Sequence, residues 1–363
     1  MVQTFVFVAC AGDGAVDTLA LNPATGALEH LSRTDGLQHV STMALDPAGT
    51  LFAGVNGNRG EPHRTVALGL DPESGAARSG PAEEVPASTC FIALGPDRRT
   101  IFSASYHEGL MVSYPVPRAS TGRRFTEYRS GPNTHSAVPS ADGRFVYTAS
   151  LGSDRISWFP IGSQTPGGAE EAAGHGAVVH AAGSIASAQG SGPRHLRHSA
   201  DGTRVYALHE LSGEVAVYSR DAATGSLEEL QRVSSVEGLG LTPGPVRSPS
   251  TPDPGPGVVW CADLRLTPDG RFLFATERST STIAAFAVGT DGLLTYLRRT
   301  DTESQPRGIA VDPSGRWLLA CGERSDHVTS YAIGPDGELD AVSRAETAAG
   351  PLWIECWEAP ARA

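Results

Sequence analysis

LRLTPDGRFLFATE, residues 264–277, decides the fold. Two apolar runs flank Pro268-Asp269-Gly270, and Asp-Gly between alternating apolar runs signals a tight β-hairpin. The phrase recurs as MALDPAGTLFAGV (43–55), IALGPDRRTIFSAS (92–105), AVPSADGRFVYTAS (137–150), LRHSADGTRVYALH (196–209) and IAVDPSGRWLLACG (309–322). We label its two strands a and b. A third apolar run, strand c, follows each copy: TVALGL, LMVSYP, RISWFP, EVAVYS, TIAAFA or HVTSYA. A turn such as DPESG, DAATG, GTDG or GPDG then leads into a weaker, more polar strand d. Four short antiparallel strands repeating at about 45 residues match one blade of a β-propeller.

The ends of the chain complete the count. Strand b occurs once more at the start, as TFVFVAC (4–10), with its own strand c, VDTLALN (16–22). Strand a occurs once more at the end, as PLWIECW (351–357). The expected class is therefore all-β: a seven-bladed β-propeller with four antiparallel strands per blade. The C-terminal strand would pair with the N-terminal blade and close the ring, removing an exposed sheet edge. Residues 1–363 read as one domain. Two stretches break the period, a Gly/Ala/Ser-rich one at 163–190 and a Pro/Gly-rich one at 236–258. Both read as long inter-blade loops.

Composition narrows the function. Apolar residues make up 40% and charged residues 19%, an ordinary globular balance. A net charge of −12 argues against nucleic acid or an anionic membrane as partner. The N-terminus shows no secretory leader, and no window is apolar enough to span a membrane. The five cysteines are widely spaced in or beside apolar runs. They read as buried, reduced thiols of a cytoplasmic protein, not as disulfides. No C-x-x-C or H-E-x-x-H spacing suggests a metal, no Gly-rich loop opens a helix to hold a cofactor, and no G-x-S-x-G supplies a nucleophile. A closed ring without a free edge favours a monomer.

Antiparallel alternation places the start of strand a and the end of strand b on the same face of the disc, with strand a innermost. The starts of strand a supply His135, Arg194, Asp263 (with Trp260 close by) and Arg307. The ends of strand b supply Tyr106, His107, Asp154, His209, Glu210, Glu277, Arg278, Glu323 and Arg324. Arginines gathered at one mouth favour an anionic ligand, because the guanidinium fork binds carboxylate or phosphate. His135 can exchange a proton near neutral pH, and Glu210 can act as a base toward water. His195 and His198 of RHLRH fall on opposite faces of their strand and read as structural.

Phrases such as HSAVPSADGRFVYTAS (135–150), GSGPRHLRHSADGTRVYALHELSGEVAVY (190–218) and QPRGIAVDPSGRWLLACGERSDHVTSYAI (305–333) resemble the seven-bladed lactonase propellers, the family of bacterial 6-phosphogluconolactonase and fungal 3-carboxymuconate cyclase. The resemblance covers nearly the whole chain. It implies a catalytic set of a histidine, two arginines and a glutamate, which fall on His135, Arg194, Arg278 and Glu210. Arg307 matches a further recurrent residue of that family. Substrate contacts would come from Arg307, His209, Glu277, Glu323, Tyr106, His107 and Asp263. The implied reaction is cofactor-free hydrolysis of an anionic lactone, such as a phosphorylated sugar lactone. The alternatives are cycloisomerisation of a muconate-type polycarboxylate and a non-catalytic binding platform. His209 and Glu277 stand where family members usually carry Asn or a similar residue, and Glu323 stands where Gln is common. The added negative charge bears on which substrate is bound.

Overall fold

The apolar runs named above all become strands. The computed structural model describes residues 3–116, 125–162, 170–172, 176–247, 253 and 255–360. Its strands assemble into seven sheets that follow the chain in order, antiparallel but for one added parallel pair. The hairpin turns show why the repeat phrase folds as it does. Thr267 donates its hydroxyl to Asp269 (2.6 Å), Asp269 accepts the Arg271 amide (3.1 Å), and Gly270 takes a φ of +71°. Ser140, Asp142 and Gly143 repeat this arrangement, with Gly143 at +67°. Arg98 occupies the same turn position in its own sheet, and there a side chain is forced to φ +54°.

The strands fall into two compact units. One comprises residues Met1–Pro86, Ala262–Gly289 and Thr295–Ala363 and holds four of the sheets. Among them is the sheet completed by both ends of the chain, ordered Leu28–Thr34, Ala15–Leu21, Thr4–Cys10, Pro351–Glu358. Phe5 lies opposite Trp357, and Val8 opposite Ile354. Val6, Val8, Cys10, Leu19, Leu319, Cys321 and Ile354 form one buried cluster of this unit; Phe272, Phe274, Ile309, Leu318 and Tyr331 anchor another. Fully burying a side chain of this kind stabilises the fold by about 1.5–3 kcal/mol.

The second unit, Ala87–Cys261 with Thr290–Leu294, holds the remaining three sheets. Its cluster centres on Tyr147, Ile156, Leu196, Val205 and Tyr218. The stretch 163–190, expected to be a loop, contributes strands. Gly183–Ala186 is the fourth strand of the sheet begun by Thr134–Pro139. Gly176–Val179 adds in parallel to Thr126–Arg129, and Glu170–Ala172 pairs with it in turn, so that sheet has six strands. Short runs such as GSIA and GAVV have too little apolar alternation to announce themselves; their edge pairing comes from neighbouring backbone. Residues 163–169 and 173–175 of that stretch lie outside the described residues.

A register irregularity recurs in strand a. In five sheets strand a carries a β-bulge at its first turn of pairing, and the extra residues are Ser41, His135, Arg194, Arg307 and Leu352. A bulge leaves one residue outside the ladder and re-aims its side chain. Three of the five are residues the sequence singles out for chemistry.

Candidate active site

In the second unit the strand Pro193–His198 begins under tight control. Asp154 accepts the amides of Gly190 (2.7 Å) and Gly192 (2.8 Å), and the Glu210 amide donates to the Gly192 carbonyl (2.8 Å). Gly192 sits at φ +64°, where a Cβ would come within 2.7 Å of Leu211. Only glycine fits this approach. The next residues are Pro193 and the bulged Arg194.

From there a closed circuit of contacts runs through the unit. Arg194, 1% exposed, donates Nε to Glu210 Oε2 at 2.6 Å and Nη1 to His195 Nε2 at 3.0 Å. Since arginine can only donate, His195 Nε2 accepts, and that ring is neutral with its proton on Nδ1. The His195 ring meets His135 edge-on at 5.2 Å, and His135 meets Tyr106 at 5.7 Å. Tyr106 donates its hydroxyl to the Arg247 carbonyl at 2.8 Å. Burial, followed by the nearby Glu210 charge, pushes the Tyr106 phenol up to about 12, so it stays protonated at neutral pH. The Arg247 guanidinium lies 4.6 Å from the Trp260 ring centre, and the Trp260 indole N–H donates to Glu210 Oε1 at 3.1 Å. Glu210 thus accepts on both oxygens, and the circuit closes. His107 is exposed and stacks edge-on against Tyr106 at 5.5 Å.

The first unit holds its own cluster. Glu323 bridges two arginines, accepting from Arg307 Nη1 at 2.6 Å with Arg278 Nη1 at 3.7 Å. Arg278 is 4% exposed, whereas the Arg307 side chain keeps 26% of its surface open.

Three residues expected to contact substrate are placed otherwise. His209 is fully buried, with Nε2 at 3.2 Å from Ser187 Oγ and Nδ1 at 3.3 Å from the Glu214 carbonyl. Burial, with Arg232 adding to it, drives its pKa down to about 3, so it is a neutral strut. Asp263, 1% exposed, accepts the Leu264 and Ile309 amides (2.9 and 3.4 Å) and pairs with Arg265 (3.3 Å). Glu277, 2% exposed, accepts the Thr280 amide and hydroxyl at 2.7 and 2.8 Å and caps the turn after its strand. The two carboxylates satisfy nearby backbone amides and the His209 ring meets a backbone carbonyl and a hydroxyl, demands that position along the strand does not reveal. Two members of the circuit are not among the sequence candidates: His195, read as structural, and Arg247, which lies in an aperiodic stretch. His198 packs against Tyr147 at 5.2 Å, away from the His195–His135 contact, as alternation requires.

Comparison with known proteins agrees with this architecture. The family described as lactonase, 7-bladed β-propeller, matches residues 5–356. A 6-phosphogluconolactonase of Klebsiella pneumoniae is 30% identical over 291 residues, covering 80% of this chain and 79% of its own. One from Sodalis glossinidius is 32% identical, covering 79% and 78%. Among solved structures, a periplasmic gluconolactonase of Pseudomonas aeruginosa superimposes with a TM-score of 0.77 at 24% identity, covering 99% of this chain and 100% of its own. A protein from Lactobacillus plantarum gives 0.78 at 21% identity, covering 99% and 100%.

Proposed function

Because the chain belongs to the lactonase family of seven-bladed β-propellers, we propose that it is a lactone hydrolase acting on a small anionic sugar lactone, with 6-phosphogluconolactone the first substrate to try. The observation that carries this reading is the closed circuit of Arg194, His195, His135, Tyr106, Arg247, Trp260 and Glu210. It gathers a proton carrier, a cation and hydrogen-bond donors at one place and fixes them by mutual contact.

On this reading the residues of the circuit have distinct roles. Both Glu210 oxygens already accept hydrogen bonds, so Glu210 positions Arg194 and Trp260. His135 is then the group that takes a proton from water as the water oxygen bonds to the acyl carbon. Arg194 stabilises the oxyanion that forms at the carbonyl. When the ring ester bond breaks, the leaving oxygen recovers that proton from the imidazolium, and the product is the hydroxy acid. On their matching sequence phrases alone, Arg278 is proposed as a further catalytic cation and Arg307 as a substrate contact. The chain's five free cysteines support a reducing compartment, the cytoplasm, in contrast to the periplasmic Pseudomonas neighbour.

The test is to offer the purified protein 6-phosphogluconolactone, glucono-1,5-lactone and 3-carboxymuconate and follow product spectroscopically. Lactone hydrolysis is expected, with His135→Ala lowering kcat by about 100-fold or more. Full activity in His135→Ala removes that histidine from the mechanism, and turnover of the muconate alone replaces hydrolysis with cycloisomerisation.

A further inference from the structure

We propose that Arg247 reads the charge of the substrate: it binds the anionic substituent of a lactone held at the His135–Arg194–Glu210 cluster and so sets the preference for charged over uncharged lactones. The inference rests on the proposed function of that cluster and deepens it.

Three observations place Arg247 there. Its segment is pinned just upstream, where the Gly244 amide donates to the Leu211 carbonyl at 2.8 Å. Gly244 runs so close to the segment leading into the strand Cys261–Leu266 that a Cβ would lie 2.3 Å from the Val259 carbonyl oxygen. At Arg247 itself the main-chain carbonyl accepts from Tyr106, whose ring touches His135. The side chain lies over Trp260, which holds Glu210. A residue outside every strand is thus bound to both arms of the cluster.

Charge points the same way. The 2.6 Å pair with Glu210 balances Arg194 in a site almost without solvent. Arg247 pairs with Asp253, 2.7 Å away, and both side chains are partly open at 27% and 38%. A half-exposed ion pair contributes little stability and exchanges readily. A substrate phosphate or carboxylate can therefore take the place of Asp253 on the guanidinium fork, with the cation held in position by the Trp260 face.

Arg247→Gln and Arg247→Lys would be compared with the parent protein for kcat/KM on 6-phosphogluconolactone and on glucono-1,5-lactone. Binding of 6-phosphogluconate and of gluconate would be followed by calorimetry. Arg247→Gln is expected to lower the charged-to-uncharged ratio of kcat/KM by about 10- to 100-fold, chiefly through KM, and Arg247→Lys to recover part of it. Equal losses on both lactones, or an unchanged ratio, would overturn the assignment. Calorimetry separates this inference from the hydrolase reading. Binding of 6-phosphogluconate that depends on Arg247, in a protein that opens no lactone, removes hydrolysis and keeps Arg247 as the anion reader. Hydrolysis with binding indifferent to Arg247 does the reverse, and a protein that binds neither acid loses both.

Discussion

At the scale of single residues, the partners of a buried polar group, more than its burial, separate the groups proposed to work from those that hold the fold. His209 shows the second case most clearly, because its neutral ring is part of the packed interior and its pKa is driven down to about 3. In the unfolded chain the same ring titrates near its ordinary value of 6.5. The unfolded state therefore binds a proton that the folded state refuses as pH falls through that range. Stability is fully present above 6.5 and is lost on acidification from there toward about 3. His198, pushed by burial to about 4, acts in the same direction. Chemical denaturation at pH 7, 6 and 5 should show the parent protein losing stability faster than His209→Asn, by roughly 1 kcal/mol per pH unit. The carboxylates of lowered pKa, such as Asp142 at about 2, lose their contribution only in more acidic solution. Equal slopes in the two proteins would mean that His209 is protonated in the fold.

At the scale of elements, the strand-a bulge and the Asp-Gly turn carry most of what the sequence conveys. The alternation rule leads to His135, Arg194 and Arg307 because all three start strand a, and in its own sheet each is the extra residue of a bulge. The same rule passes over His195. Its partners, Arg194 and His135, lie on its own strand and a neighbouring sheet, and no local pattern encodes the ring contact. Arg247 is invisible to any periodicity because its segment has none; its place comes from the Tyr106 and Gly244 hydrogen bonds. Turn chemistry makes a sharper prediction. Arg98 sits at φ +54° where Gly143, Gly202, Gly270 and Gly315 serve the matching turns at +67°, +69°, +71° and +72°. Relief of the left-handed strain, about 1–2 kcal/mol, is partly offset by glycine's greater freedom in the unfolded chain. Arg98→Gly should raise stability by roughly 0.5 kcal/mol in urea titrations. A lower midpoint would show that the Arg98 side chain makes contacts worth more than the strain.

At the scale of the whole molecule, the consequential feature is that one sheet is shared by both ends of the chain. Counting strands a and b along the sequence leads to it, since each deficit is filled only by the other end. The pairing of Thr4–Cys10 with Pro351–Glu358 joins strands from the two ends of the sequence in one sheet. Its energetics are concentrated in two side chains. Ile354 is fully buried in the cluster that also contains Val8, Cys10 and Cys321. Trp357, 2% exposed, faces Phe5 and Phe7 at 6.0 and 6.5 Å and donates its indole N–H to the Pro47 carbonyl at 3.0 Å. Truncating a buried tryptophan to alanine costs about 3–5 kcal/mol, a large part of the roughly 5–15 kcal/mol that holds a typical domain together. Trp357→Ala should therefore lower Tm by several degrees while the protein still folds. A chain ending at Gly350 loses Ile354, Trp357 and the whole ladder of Thr4–Cys10 on that side, and leaves that strand as a bare apolar edge. It should give no cooperative thermal transition by circular dichroism, or one far below the parent, with aggregation on heating. A peptide spanning Pro351–Glu358, added in excess, should restore part of the transition by filling the same register. A truncated chain that melts at the parent's Tm would show that the seventh sheet is stable with three strands and that closure contributes nothing to holding the blade together.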